Sequence, residues 1–292
     1  MNNRSGLNTM LPFLLLLAAL MPAQEVTGQP VEETLLWKVE GEGIAPSYVL
    51  GTIHVMPQSR FVVKDKVKAA FEETEQLVLE LDIDDPGLQG AIMANAGMEG
   101  GETLEKLLPA RAYEAIDAQL KSLMGVGLAP FNTFKPMLIA SFLVAKYVGE
   151  QPASFEVSLM QMAAENNMEV LGLETVAEQM EVFDRIAYVD QAADLVEMID
   201  DETRTKAMFN ELMLKYLQED QAGLYQMMGV YFDDPSQLDV MIHARNKNWI
   251  PRMVEQASKK STFFGVGAGH LGGELGVLAL LKKAGYTVTP IM

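Results

Sequence analysis

Residues 262–291 read TFFGVGAGHLGGELGVLALLKKAGYTVTPI. An apolar strand, Thr262–Val266, runs into a glycine-rich turn that carries His270. A helix over Gly273–Ala284 follows, stopped at Gly285, and a closing strand covers Thr287–Ile291. Strand–helix–strand units of this kind build α/β sheets. The opening of the unit recurs near the other end of the chain. There Tyr48–Ile53 (YVLGTI) delivers Gly51-Thr52-Ile53-His54, just as Phe263 onward delivers Gly267-Ala268-Gly269-His270. In open α/β sheets ligands sit in the crevice outside the carboxyl ends of the strands. Glycine at such an end lets the backbone turn sharply and approach a ligand closely. The chain has only three histidines, and two of them sit in this context. Either one alone reads equally as a hydrogen-bonded loop histidine; the pair points to a shared polar site.

Outward from these units the pattern holds. Leu35–Glu40 pairs with Tyr48–Ile53 across the turn-rich Gly41–Pro46 stretch. Lys64–Gln76 is helical, with Val67, Ala70, Phe71 and Thr74 on one face. Leu77–Ile83 (LVLELDI) is a buried strand with two acids set into it, and Asp84–Gly101 reads as loop. Helices follow over Glu102–Met124, Phe131–Val148 and Ser154–Asn167, then a strand over Glu169–Glu174. Thr175 to Glu178 forms a capping box, and the sequence stays helical to about Gln221; Leu238–Ala257 is a further long helix. The expected architecture is α/β: a mixed central sheet with flanking helices over residues 30–292, with a mainly helical insertion around 175–235. No linker divides it.

Composition narrows the function classes. At 292 residues and 49 % hydrophobic, the chain can bury one substantial core. Its net charge of −18 argues against nucleic acid and against an anionic lipid surface, both of which are held by Lys and Arg. The absence of cysteine excludes disulfides, thiolate metal ligands and a Cys nucleophile. The 20 methionines read as adaptable core filler. Arg4 followed by the apolar run Met10–Met21 reads as a signal peptide over residues 1–23, because twelve apolar residues fall short of the roughly 20 that span a bilayer. Cleavage after Ala23 or at Val26-Thr27-Gly28 predicts a periplasmic or secreted protein without a stable membrane anchor.

Other side chains join the histidines as candidates. Glu80 and Asp82 share one face of their strand by period two. A carboxylate in so apolar a strand is costly unless it is paired or bound to a metal; Asp82, nearer the loop, reads as a turn acid. Arg245 falls among Leu238, Ile242, Trp249 and Met253 at helical spacing, so it either meets an acid or anionic ligand inside or packs its stem and reaches water. His243, about 200° around that helix, is expected to face water and to be dispensable. Glu174 closes its strand, where it supports the site or favours the next helix start.

These residues resemble the TraB/PrgY/GumN family, to which the animal Tiki metalloproteases are distantly similar. The resemblance rests on both Gly-x-x-His motifs, Leu79-Glu80-Leu81-Asp82, Leu171-Gly172-Leu173-Glu174-Thr175, Arg245-Asn246 and the Gly-Ala-Gly-His-Leu-Gly-Gly run. One departure is Glu156, where an Asp is expected. The resemblance implies a fold similar to the erythromycin-esterase (EreA) and haem-binding ChaN group. By analogy with Tiki it implies a divalent-metal hydrolase acting on peptides or small molecules. His54 and His270 would then be metal ligands, Glu80 a third ligand or base, and Arg245 a partner for an oxyanion or substrate carboxylate, with Gly51, Gly267, Glu174 and Asn246 in support. Two imidazoles and a carboxylate suit Zn, Mn, Fe or Co alike. The alternative is a binding protein that sequesters a peptide signal or haem without turnover.

Overall fold

The computed structural model describes residues 33–148, 151–232 and 234–292; the expected signal peptide lies outside the described residues. Six strands build the central sheet: β1 (Leu36–Glu40), β2 (Ser47–Thr52), β3 (Gln76–Leu79), β4 (Glu169–Gly172), β5 (Thr262–Gly267) and β6 (Thr287–Pro290). Their order is β4-β3-β5-β2-β1-β6. The first four of that order run parallel, whereas β1 is antiparallel to both β2 and β6. The sheet is mixed, as expected. β2 and β3 are buried along their whole length, which is why both read as near-continuous apolar runs.

Helices cover the sheet. Helix α1 (Asp65–Glu72) buries Val67, Ala70 and Phe71, the face its spacing predicts, and the Phe71 ring lies 5.1 Å from that of Phe263 on β5. The segment read as loop after β3 contains α2 (Leu88–Asn95). Pro109 divides the next expected helix, so α3 spans Ala110–Met124 and a single turn, Leu104–Leu107, precedes it. There follow α4 (Pro136–Val148), α5 (Phe155–Glu165), α6 (Val176–Asp184), α7 (Tyr188–Asp200), α8 (Glu202–Leu217) and α9 (Gln221–Tyr231). The capping box at Thr175 and Glu178 opens α6 as read. After a short turn at Pro235–Leu238, a π-helical turn at Asp239–His243 leads into α10 (Ala244–Lys259). Helix α11 (Val277–Lys283) then leads to β6.

The described residues make one compact unit with two apolar cores. The first surrounds the sheet. The second is helical, built from Leu104, Ile116, Leu120, Leu128, Ile139, Leu143 and Leu195 among others. The helical part therefore begins well before residue 175, with α3 and α4 packing on α7. Sequence periodicity finds these helices but not the core they share. Among the described residues no helix is long and apolar enough to cross a membrane.

Candidate functional site

Strand register places the candidates on one rim. Leu50 and Leu79 both stand opposite Gly265, Thr52 opposite Gly267, and Leu79 opposite Gly172. The parallel strands thus end together, and Glu80, Glu174, His54 and His270 all follow those ends. Glu80 lies just past the strand rather than inside it, because pairing stops at Leu79. A Cβ on Gly51 would come 2.7 Å from Leu271 Cδ1 and 3.1 Å from Ala268 Cα, so the two Gly-x-x-His turns pack directly on each other. A Cβ on Gly267 would stand 3.2 Å from Glu80 Oε1, 3.6 Å from His270 Cδ2 and 3.7 Å from His54 Nε2. Side chains more than 200 residues apart in sequence meet over this one glycine.

Each imidazole is held by its Nδ1. His54 Nδ1 lies 2.9 Å from Glu156 Oε1; a carboxylate only accepts, so the proton sits on Nδ1. Glu156 is fixed in turn by Thr52 Oγ1 at 2.7 Å and Ser154 Oγ at 2.7 Å. His270 Nδ1 lies 2.6 Å from Asn246 Oδ1. The Asn246 amide nitrogen donates to the carbonyls of His270 and Leu275, which leaves its oxygen to accept from Nδ1. Both Nε2 atoms therefore carry lone pairs in the neutral rings. The surroundings of the rings differ. His270 is buried, and burial together with the Arg245 charge pushes its pKa down to about 3. His54 has a side chain 68 % exposed. The protein packed around its inner edge opposes a charge there, but the Glu156 hydrogen bond and the Glu80 charge outweigh that and raise its pKa.

Arg245 ties the acids together. Its Nη2 donates to Glu80 Oε2 at 2.7 Å and to Glu174 Oε1 at 2.6 Å, and Nε donates to both Glu174 oxygens at 3.2 Å. Nη1 donates to the Met241 carbonyl and faces His270 Nε2, each at 3.2 Å. The guanidinium lies 4.7 Å from the centre of the Trp249 ring, whose Nε1 also donates to Glu174. A guanidinium has five N–H groups, and all five are engaged here. In this arrangement all of the Arg245 donors face the protein, one of them the His270 Nε2 lone pair. Arg245 positions Glu80 and His270. Burial opposes the Glu80 charge, but Arg245, the two imidazoles and the Gly267 N–H at 2.8 Å hold its carboxyl far below the usual range. An acid so held suits a ligand better than a general base.

A preformed metal cage is another matter. Among the described residues, no group of three or more His, Asp or Glu side chains stands ready to hold a metal ion. The obstacle at His270 is the Arg245 nitrogen beside Nε2. The donor set itself fits a divalent ion in three respects. Both imidazoles are anchored through Nδ1, as metal-binding histidines almost always are. Glu80 Oε1 and His270 Nε2 are 3.9 Å apart, within the ~4.2 Å that two donors each about 2.1 Å from one ion can span. The Gly267 cradle leaves room beside Oε1 and His54 Nε2.

Two expectations need adjusting. His243 does not face water: its side chain is 14 % exposed and its Nε2 lies 3.0 Å from Tyr225 OH. The π-helical turn shifts the helical phase, and α9 covers it. Glu156, noted only as a departure, holds His54; the sole local signal was its place in the first turn after the Ser154 cap.

The chain is similar to Metalloprotease TIKI1 of Xenopus tropicalis, 25 % identical over 87 % of this chain and 61 % of that protein. It is similar to Metalloprotease TIKI1 of Homo sapiens, 23 % identical over 87 % and 61 %. Metalloprotease TIKI2 of Xenopus tropicalis is 24 % identical over 87 % and 59 %. The aligned region is thus about three-fifths of the length of these relatives. No solved structure matches. The sequence profile of the TraB/PrgY/gumN family matches residues 35–290, nearly the whole described region, and the chain belongs to that family.

Proposed function

We propose that this protein is an exported, metal-dependent hydrolase acting on peptide bonds. The observation that carries the reading is the meeting of two Nδ1-anchored imidazoles and the Glu80 carboxylate around Gly267. His54, Glu80 and His270 would hold the ion. When bound, a divalent ion supplies Lewis-acid polarisation of a carbonyl and an acidified water near neutral pH. Asn246 fixes the His270 ring with its unprotonated Nε2 toward the site, and Glu156 orients the His54 ring so that Nε2 is the nitrogen an ion would displace a proton from. Arg245, pinned by Glu174, keeps Glu80 ionised and turned toward Gly267. The solvent-open face of His54 is the side from which a peptide would approach. The names of the relatives, metalloproteases, support peptides as the substrate class and a metal ion as cofactor.

Binding without turnover is the second reading, favoured by one observation. Arg245, the guanidinium beside Glu80 and His270, has every N–H directed at a protein acceptor and none at open space for an oxyanion. One experiment separates the two. Purified protein is titrated calorimetrically with Zn, Mn and Co, and then incubated with a peptide library read by mass spectrometry. The hydrolase reading expects one tightly bound ion per chain and new peptide termini. It also expects both to be lost in His54→Ala, Glu80→Ala and His270→Ala variants that keep wild-type circular dichroism. Saturable peptide binding with every peptide recovered intact would establish sequestration instead. Export is checked by the N-terminus of periplasmic protein, expected between Gln24 and Gln29; retained Met1 on cytoplasmic protein would refute it.

A further inference from the structure

Beside the rim lies a groove that the proposed reaction does not use. It measures about 300 Å³, at the small end of ligand pockets. One wall starts at Met56, two residues after His54, and continues through Arg60, Val62 and Lys64; Phe155, next to Glu156, lines another part. Helix α8 supplies Tyr216 and Leu217, and Leu35, Leu50 and Val67 add further lining. Leu35, Leu50, Met56, Val67 and Phe155 are each at most 5 % exposed, so the floor is apolar and continuous with the core.

Its rim carries charge of the opposite sign to the molecule. The chain has a net charge of −18, yet the charged residues lining the groove are Arg60, Lys64 and a single acid, Glu219. Glu219 is already matched twice, by Lys64 at 3.0 Å and Lys66 at 2.9 Å. Arg60 has no ion pair or hydrogen bond among the described residues and is exposed. Glu219 sits in the left-handed position that closes α8, with a φ of 58° and its N–H bonded to the Tyr216 carbonyl, so the helix end fixes this acid at the groove. An apolar trough with an unpaired guanidinium at its mouth is complementary to an aliphatic chain ending in an acid.

We infer that this groove binds a soluble anionic amphiphile, an aliphatic carboxylate whose chain lies on Leu50, Val67 and Phe155 and whose head meets Arg60. The site is independent of the hydrolase reading, since none of its residues is a proposed ligand. About ten water-sized groups fill 300 Å³ at roughly 30 Å³ each, so the chain is of about that length.

The probe is a series of straight-chain carboxylates from hexanoate to tetradecanoate, titrated calorimetrically into the full protein with and without added zinc. Affinity should rise roughly fourfold per methylene and level off near ten carbons. Arg60→Glu should weaken decanoate roughly tenfold while leaving uncharged decanamide unchanged. Leu217→Trp, at a position 40 % exposed and therefore tolerant of bulk, should fill the groove and abolish decanoate binding. Zinc should make no difference to any of these. The inference falls if affinity is flat with chain length, if decanamide binds as tightly as decanoate, or if both variants bind decanoate like wild type. Loss of peptide hydrolysis with decanoate binding intact would count against the hydrolase reading alone.

Discussion

Gly267 is where the residue scale bears hardest on function. Its φ of −52° and ψ of 134° are open to any amino acid, so the backbone does not demand glycine there. The demand comes from space: a Cβ would press to 3.2 Å against Glu80 Oε1, inside the gap shared with His54 Nε2. Gly267→Ala should therefore leave thermal stability within about 1 kcal/mol of wild type. Zinc affinity should drop at least tenfold, because the methyl takes the volume an ion would need and pushes on its carboxylate donor. Calorimetric titration beside a melting curve checks it. Unchanged zinc affinity would mean that the ion, if any, sits elsewhere. The neighbouring Gly51 differs. There a Cβ meets the backbone of Ala268 at 3.1 Å, so its substitution should damage the fold and the site together.

At the scale of elements, the chain's own patterns specified the site's framework and left its partners obscure. Apolar runs ending in Gly-x-x-His located β2 and β5, and parallel register then brought their ends to one rim. Asn246 entered only as a supporting residue through the family resemblance, and Glu156 as the partner of His54 was not legible, since both reach the imidazoles through tertiary contacts with no spacing rule. The phase of His243 failed for a different reason: five residues of π-helix before α10 break the 3.6-residue count on which it rested. His243→Ala should accordingly cost about 1 kcal/mol, the worth of one hydrogen bond to Tyr225, with zinc affinity unchanged. A loss of zinc binding as large as that of His270→Ala would place Tyr225 and His243 within the site itself. The capping box opening α6 was legible outright, and it carries a pH signature. Glu178 accepts from Thr175 N–H at 2.8 Å and pairs with Arg252, whose hydrogen bond is the main cause pulling its pKa down to about 2 from 4.5. A depressed acid stabilises the fold above its unfolded value and loses that contribution as pH falls from about 4.5 toward 2. With 43 % of its side chain exposed, screening keeps the ion-pair contribution below about 1 kcal/mol. Glu178→Gln should melt about 2 °C lower at pH 7 and converge with wild type near pH 2. A constant gap across that range would assign the effect to packing.

On the scale of the whole molecule, the question is whether the two cores answer to each other. The sheet core carries every proposed ligand, whereas the helical core of α3, α4 and α7 carries none. A buried lysine fastens the helical layer locally: Lys135 Nζ, 3 % exposed, donates to the carbonyls of Asn95 and Gly97 and lies 3.3 Å from Asp184 at the end of α6. Ile116 is wholly buried in the helical core, so Ile116→Ala removes three methyl or methylene groups and leaves a cavity, a change that costs about 2–5 kcal/mol. That loss should fall unevenly, because cooperative units open with their own free energies when few contacts bind them together. Hydrogen exchange followed by mass spectrometry is expected to show amides of α3, α4 and α7 exchanging tens of times faster, while β2, β3 and β5 stay protected. Zinc binding at His54 and Glu80 should persist, since those strand ends rest on Leu79, Val266 and Trp249 in the other core. Leu79→Ala, equally buried but under the rim, should reverse the pattern by exposing the strands to exchange and weakening zinc. If Ile116→Ala loosens the strands as much as the helices, the cores fold as one cooperative unit. The helical layer would then be a structural support of the site that no substitution can perturb separately.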